Sequence, residues 1–228
     1  MSEYVNITID GHDIKAKKGE RVLWAALDND IYIPHLCGIR QEERPNAGCR
    51  LCFVEVEGAS RPVTSCTKNV EEGMVITTRS ERVDRLVKTA FELILSDHNL
   101  KCRECPANRS CVLQDIAKKR KIKLRHDRFK SIVREFEIDD SPAEFAFDRS
   151  RCVLCGQCIW ADREEAKVGA IGFTKRGINR VVTTFKDLPL AESICTQCLL
   201  CVEACPVGAL YYKKNESDDS NKNSEKNS

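Results

Sequence analysis

The sequence predicts an α+β protein in which short strands and one long helix carry loops dense in cysteine. Three observations predict it. Residues 4–17 alternate apolar and polar about an Asp10-Gly11 pair, the pattern of a β-hairpin. Residues 83–95 repeat apolar positions at helical spacing behind a Ser80 cap. Fourteen cysteines stand among 228 residues, and every one falls in a cluster with the spacing of metal ligands.

Composition narrows the setting. With 42% of residues hydrophobic, the chain can build one or two real cores. It opens Met1-Ser2-Glu3 with alternating apolar residues and no secretory leader, so the expected compartment is the cytoplasm. Thiols stay reduced there, and dense cysteine means metal rather than disulfides. No run approaches the length needed to span a bilayer. A formal net charge of +2 points to no partner class and does not call for nucleic acid.

Taken in order, Val5, Ile7 and Ile9 form one face of the first hairpin arm, and Ile14 and Ala16 return on the second. Val22, Leu23, Ala26 and Leu27 then recur at helical spacing, giving a short helix that can lie across the hairpin. Cys37, Cys49, Cys52 and Cys66 follow around a strand at Phe53–Val56. One thiolate, a close pair and one far downstream can hold a 2Fe-2S cluster on a loop outside a small sheet. A zinc ribbon normally uses two close pairs, and only one is present. The first gap is wider than the four residues of plant-type ferredoxins. Hairpin, crossing helix and wide spacing together resemble the 2Fe-2S domain at the start of the large iron–sulfur subunit of respiratory complex I and of its hydrogenase relatives. That resemblance implies a β-grasp 2Fe-2S ferredoxin domain over residues 1–78.

The helix capped by Ser80 places Val83, Leu86, Val87, Ala90, Phe91, Ile94 and Leu95 on one face and delivers Asp97-His98 to His98-x3-Cys102-x2-Cys105-x5-Cys111. Three thiolates and an imidazole can complete one metal site, and the stretch alone also reads as a zinc knuckle. Its order after a 2Fe-2S module and a long helix resembles the His-plus-three-Cys segment of complex I and iron-only hydrogenases. On that resemblance His98, Cys102, Cys105 and Cys111 hold a 4Fe-4S cluster within a helical segment spanning 79–140. The basic run from Lys118 to Lys130 has one aromatic residue, Phe129, and no recognition module around it. It reads as a solvated or partner-docking surface. Pro142 and the acidic run Glu137–Asp140 read as a linker.

Residues 141–213 hold a near-repeat. Cys152-x2-Cys155-x2-Cys158 precedes Val168-Gly169-Ala170-Ile171, and Cys195-x2-Cys198-x2-Cys201-x3-Cys205-Pro206 precedes Val207-Gly208-Ala209-Leu210. This is the bacterial two-cluster ferredoxin pattern, in which the fourth ligand of each run crosses to the other cluster. It gives one site from Cys152, Cys155, Cys158 and Cys205, and a second from Cys195, Cys198, Cys201 and the residue that follows Cys158 after three intervening positions. The pattern calls for cysteine there; the residue is Asp162. Four clusters need sixteen ligands, fourteen cysteines and His98 supply fifteen, and Asp162 fills the remaining place. A hard carboxylate binds iron less well than thiolate, so this site is expected as 4Fe-4S or 3Fe-4S. Residues 214–228 are polar and read as a disordered tail.

One 2Fe-2S and three 4Fe-4S-type sites imply electron transfer, with no catalytic residue of the chain's own. No Gly-rich dinucleotide fingerprint is present. The resemblance implies the iron–sulfur subunit of a soluble NAD-linked hydrogenase or formate dehydrogenase, including electron-bifurcating ones. Its partners would be a flavin- and NAD-binding iron–sulfur subunit and a hydrogenase or molybdopterin catalytic subunit. Two alternatives stand beside it: a free multi-cluster ferredoxin carrier and a zinc-dependent nucleic-acid binder.

Overall fold

The structure, a computed structural model, describes residues 3–213, so the expected disordered tail lies outside the described residues. Strands β1 (Tyr4–Ile9) and β2 (His12–Lys17) form the predicted hairpin, in register from Tyr4 opposite Lys17 to Ile9 opposite His12. Asp10 (φ 50°) and Gly11 (φ 80°) are both left-handed at its tip, as a two-residue hairpin turn requires. The Asp10 carboxylate accepts from the Thr78 N–H at 2.7 Å and from Thr78 Oγ, pinning the tip to the segment that enters the long helix.

Helix α1 (Val22–Leu27) buries Val22, Leu23, Ala25 and Ala26 against the sheet. Strands β3 (Phe53–Val56) and β4 (Val63–Thr64) pair antiparallel. The strand that the pattern does not announce is β5 (Val75–Thr77), which runs parallel to β1 and antiparallel to β3. It sits at the centre of a five-stranded sheet ordered β2-β1-β5-β3-β4.

Helix α2 (Glu81–Ser96) starts as expected, with Ser80 Oγ accepting from the Val83 N–H at 3.1 Å. Glu81 and Asp84 in its first turn complement the positive end of the helix dipole. Val83, Val87, Ala90, Phe91 and Leu95 are buried, whereas Leu86 and Ile94, at the edges of the stripe, are half-buried. Helix α3 (Val112–Arg120) packs Leu113 and Ile116 beneath it. The C-terminal part contains β6 (Phe145–Phe147), α4 (Gln157–Trp160), β7 (Ile171–Thr174), β8 (Val181–Thr184), α5 (Leu200–Glu203) and β9 (Leu210–Tyr212). These make two two-stranded sheets, β6–β9 and β7–β8.

There are two cores among the described residues. One lies between the large sheet and α1 and includes Ile7, Ile9, Leu23, Ile33, Val54 and Ile76. The other joins Leu36 and Leu51 of the first cysteine loop to Phe91 and Leu95 of α2, Leu113 and Ile116 of α3, and Phe145 and Leu190. The first cysteine loop is therefore held between the N-terminal sheet and the rest of the chain. Gln157 Nε2 also donates to the Leu36 carbonyl, tying that loop to α4.

The basic run is exposed as expected, except at Arg120, and some of its charges pair within the chain. Arg120 is buried 3.6 Å from Asp84, Arg128 reaches the buried Glu92 at 2.5 Å, and Lys119 pairs with Asp115 at 2.9 Å. The acidic run is an ordered strap rather than a free linker: Asp139 bridges to Phe147, and its carboxylate accepts from the Leu190 N–H at 2.7 Å. Among the described residues, no helix is long and apolar enough to cross a membrane.

Candidate metal centres

The β3–β4 pairing brings the first cysteine group together. The Ser65 N–H donates to the Cys52 carbonyl at 2.9 Å, which sets Cys66 beside Cys52, and the Cys49 N–H donates to Cys37 Sγ at 3.4 Å. All four thiols are buried. The Cys37 thiol bonded to Cys49 holds Cys49 down to about 6, and the same bond, with burial, pushes Cys37 up. Cys66 and Cys52 are related in the same way, Cys66 raised and Cys52 lowered. Two thiol–thiolate pairs this close can lose all four protons only if a cation binds among them.

The second group lies where α2 ends. His98 is 5% exposed, and burial lowers it to about 4, against the opposing effect of the Arg151 main-chain carbonyl beside the ring. The neutral imidazole is the ligating form. Cys102 opens a tight turn closed by the Cys105 N–H to Cys102 carbonyl bond of 3.2 Å, and Cys111 caps α3. Burial raises the Cys111 thiol, and the charges of Cys105 and Cys102 add to it, so the three face one another.

In the third group, Leu154 (φ 54°) and Gly156 (φ 83°) turn the backbone sharply, and the Leu154 N–H donates to Cys152 Sγ at 3.4 Å. Successive inward N–H groups of this kind favour an anionic guest. Cys205 accepts from the Leu210 N–H at 3.5 Å. Burial pushes Cys152 and Cys155 up to about 12 and Cys158 well above its usual range, and all three feel the charge of Cys205. Cys205 therefore faces the run from Cys152 to Cys158.

Cys195, exposed Cys198 and buried Cys201 form the fourth group, with Asp162. Burial raises Cys201 to about 12, and Cys195, Cys198 and Asp162 contribute in that order. Asp162 is 7% exposed, inside a π-helical turn over Ala161–Glu165, and its Oδ2 accepts from the Ile171 N–H at 3.0 Å. It is not a surface residue. π-Turns concentrate at functional sites, because the extra residue re-aims a side chain.

The groups also adjoin one another. Cys155 lies within electrostatic reach of Cys49, Cys205 of Cys105, and Cys158 of Cys201. Gly208 marks the closest approach: a Cβ there would overlap Cys105 Sγ. Nothing in the Val-Gly-Ala repeat announces that contact, nor the place of Arg151 beside His98.

Donor chemistry and buried polar atoms test the fit of iron–sulfur clusters. Ser65 Oγ, His98 Nδ1, Arg120 Nε, Arg134 Nε and Arg151 Nη1 are buried without a hydrogen-bond partner. Arg120 lies beside Asp84 and Thr78, whereas the others adjoin these groups: Ser65 and Arg151 precede Cys66 and Cys152, and Arg134 bears on Cys152. A single tetrahedral zinc would draw its donors to about 2.0–2.3 Å from one point. Among the described residues no three His, Cys, Asp or Glu side chains converge on one ion in that way. Groups made almost wholly of thiolates fit multi-iron clusters.

Comparison with known proteins matches three iron–sulfur family models in order along the chain. Residues 2–81 match a 2Fe-2S iron–sulfur cluster binding domain, 88–126 the NADH-ubiquinone oxidoreductase-G iron–sulfur binding region, and 144–211 the ferredoxin-like domain of NADH-quinone oxidoreductase subunit 3. The NADPH-Fe(3+) oxidoreductase subunit alpha of Geobacter sulfurreducens is 34% identical over 92% of this chain and 24% of its own length. The NADP-reducing hydrogenase subunit HndD of Solidesulfovibrio fructosivorans is 34% identical over 90% of this chain and 36% of its own. The chain thus spans about a quarter to a third of these curated relatives. A chain of the NAD+-reducing [NiFe]-hydrogenase, solved in the H2-reduced state, superposes with a TM-score of 0.82 at 30% identity, covering 92% of this chain and 87% of that one. By sequence, cluster-domain order and fold, this chain belongs to the family of iron–sulfur electron-transfer subunits found in NAD-linked hydrogenases and NADH-quinone oxidoreductases.

Proposed function

We propose that the chain is the wire of a multi-subunit oxidoreductase, passing electrons between an NAD(P)H-linked flavoprotein and a catalytic subunit. A hydrogenase is the favoured catalytic partner and a molybdopterin formate dehydrogenase the next, with bifurcation at the flavin as an extension of the same role. Cys37, Cys49, Cys52 and Cys66 hold a 2Fe-2S cluster. His98, Cys102, Cys105 and Cys111 hold one 4Fe-4S cluster, and Cys152, Cys155, Cys158 and Cys205 another. Cys195, Cys198 and Cys201 hold the last, as 4Fe-4S or 3Fe-4S, with Asp162 as the fourth ligand. Iron–sulfur clusters supply one-electron exchange with little rearrangement, at potentials set by ligand, hydrogen bonding and burial.

The observation that supports this reading is that a cysteine of each of the other three groups, Cys49, Cys105 and Cys201, lies within electrostatic reach of the Cys152–Cys205 group. A carrier with one entrance needs no such adjacency. Anaerobic purification through a tag on this chain, with mass-spectrometric identification of bound subunits, tests the role. An NAD-binding flavoprotein together with a hydrogenase or molybdopterin subunit is expected; a chain that elutes alone with its iron intact is a soluble carrier instead.

Two predictions concern the ligands. The loaded chain should contain about fourteen irons with matching labile sulfide, or one fewer with a 3Fe-4S site, and no stoichiometric zinc. Asp162→Cys should bring the fourth site to full iron and change its paramagnetic signal; an unaltered spectrum with cysteine in place would remove Asp162 from the ligand set. Gly208→Ala should push Cys105 aside, because the added methyl meets sulfur there and Ala107 at 3.4 Å. Overpacking of this kind costs about 1–3 kcal/mol. The expected result is a loss of about four irons, with the other three signals kept; full iron content in the variant would show that the contact relaxes freely.

A further inference from the structure

We propose that Arg151 sets the reduction potential of the His98 site, its buried guanidinium favouring the electron-rich state of the cluster that His98, Cys102, Cys105 and Cys111 hold. The inference rests on that ligand assignment. Four observations lead to it.

The side chain of Arg151 is 10% exposed, and Nη1 has no hydrogen-bond partner. Nε pairs with the Asp148 carboxylate, Oδ2 standing 2.8 Å away, which leaves Nη1 as the unpaired donor. Asp148 Oδ1 accepts from the Ser150 N–H at 3.0 Å and from Ser150 Oγ at 2.6 Å. Buried N–H groups with no acceptor are rare and call for a reason, of which a redox role is one.

The segment 148–151 is laced to the end of α2. The Asn99 N–H donates to the Ser150 carbonyl at 3.0 Å and Asn99 Nδ2 to Ser150 Oγ at 3.3 Å. Both the carbonyl and the charge of Arg151 bear on the His98 ring, and Tyr211 lies within reach of Arg151 and Cys105 together. Arginine keeps its charge at any working pH, so the cation here is a fixed one. Reduction adds one negative charge to the cluster. A buried cation stabilises that added charge more than a solvated one could, because the local dielectric is low.

The test is a potentiometric titration of the anaerobically loaded full chain, followed by electron paramagnetic resonance. The signal of this site is first identified by its loss in Cys111→Ala; if that variant loses no signal, the ligand assignment fails and the inference goes with it. In Arg151→Gln the ratio of reduced to oxidised cluster at a fixed potential should fall at least tenfold, equivalent to about 59 mV for one electron. Arg151→Lys should recover most of the shift. Asp148→Asn, which removes the opposing charge, should move the same signal the other way. The other three signals should stay in place. If Arg151→Gln loads fully and its potential is unmoved, Arg151 is a structural strut and the inference is overturned. If Arg151→Gln fails to load, Asp148→Asn decides alone, and an unchanged potential there overturns it equally.

Discussion

Cys158→Ser should lose about four irons and, with them, electron exchange among the three sites that remain. Cys158 lies within electrostatic reach of Cys152, Cys155 and Cys205 of its own group and of Cys201 of the next. It is buried in the core that also contains Cys37, Cys49, Cys111 and Cys201. A serine there offers a hydroxyl, a poor iron ligand, and buries an O–H that costs about 1–3 kcal/mol if unsatisfied. The fold should tolerate this, because Phe91, Leu113, Ile116 and Phe145 remain packed around it. In the reduced wild-type chain neighbouring paramagnets should broaden one another's signals. In the variant the 2Fe-2S signal should sharpen, and electrons added at one site should no longer equilibrate with the others on the timescale of freeze-quench mixing. Cys195→Ser, at the outer site, should remove one branch and leave the 2Fe-2S line shape unchanged. Broadening and equilibration that persist in Cys158→Ser would mean that the sites communicate by another route.

What the sequence discloses and what it hides divide along physical lines. The hairpin and α2 are legible because alternation and a 3.6-residue stripe are local signals, and because Ser80 caps its own helix. Strand β5 is not, since three residues carry no measurable period and its Val75 is 40% exposed. Its place depends on β1 and β3, pairings that only the fold creates. The basic run is legible as a surface, but charge composition does not tell that Arg120 is buried or that Glu92 and Asp84, on α2, face Arg128 and Arg120. Asp162 is legible as the odd residue in a counted pattern, but its burial and its bond to Ile171 are not. Gly208 and Arg151 are silent for the same reason: their partners, Cys105 and His98, lie far away along the chain.

Stripping the metal should unfold the C-terminal part while the N-terminal sheet survives. Between residues 145 and 212 the regular structure is slight: α4 and α5 are four residues each, and β6 and β9 three each. Helices of one turn and isolated strand pairs have no independent stability. Much of what is buried among them is cysteine, so the free energy of binding metal is there the free energy of folding. The N-terminal sheet has five strands, a crossing helix and a core of its own built on Ile7, Ile9, Leu23 and Ile76, with only Cys52 and Cys66 of the ligand set inside it. After anaerobic chelation, hydrogen exchange should show protection lost across 145–212 and kept in β1, β2 and α1. Alkaline pH should further weaken whatever of the C-terminal part stays folded without metal. Cys152, Cys155 and Cys201 are held protonated by burial, with folded values raised from 9 to about 12. That contribution is present below pH 9 and is lost as pH rises from 9 toward 12, where the unfolded chain releases its protons first. Equal protection of both parts after chelation would mean that the apolar contacts of Phe91, Leu113 and Phe145 hold the C-terminal part without iron.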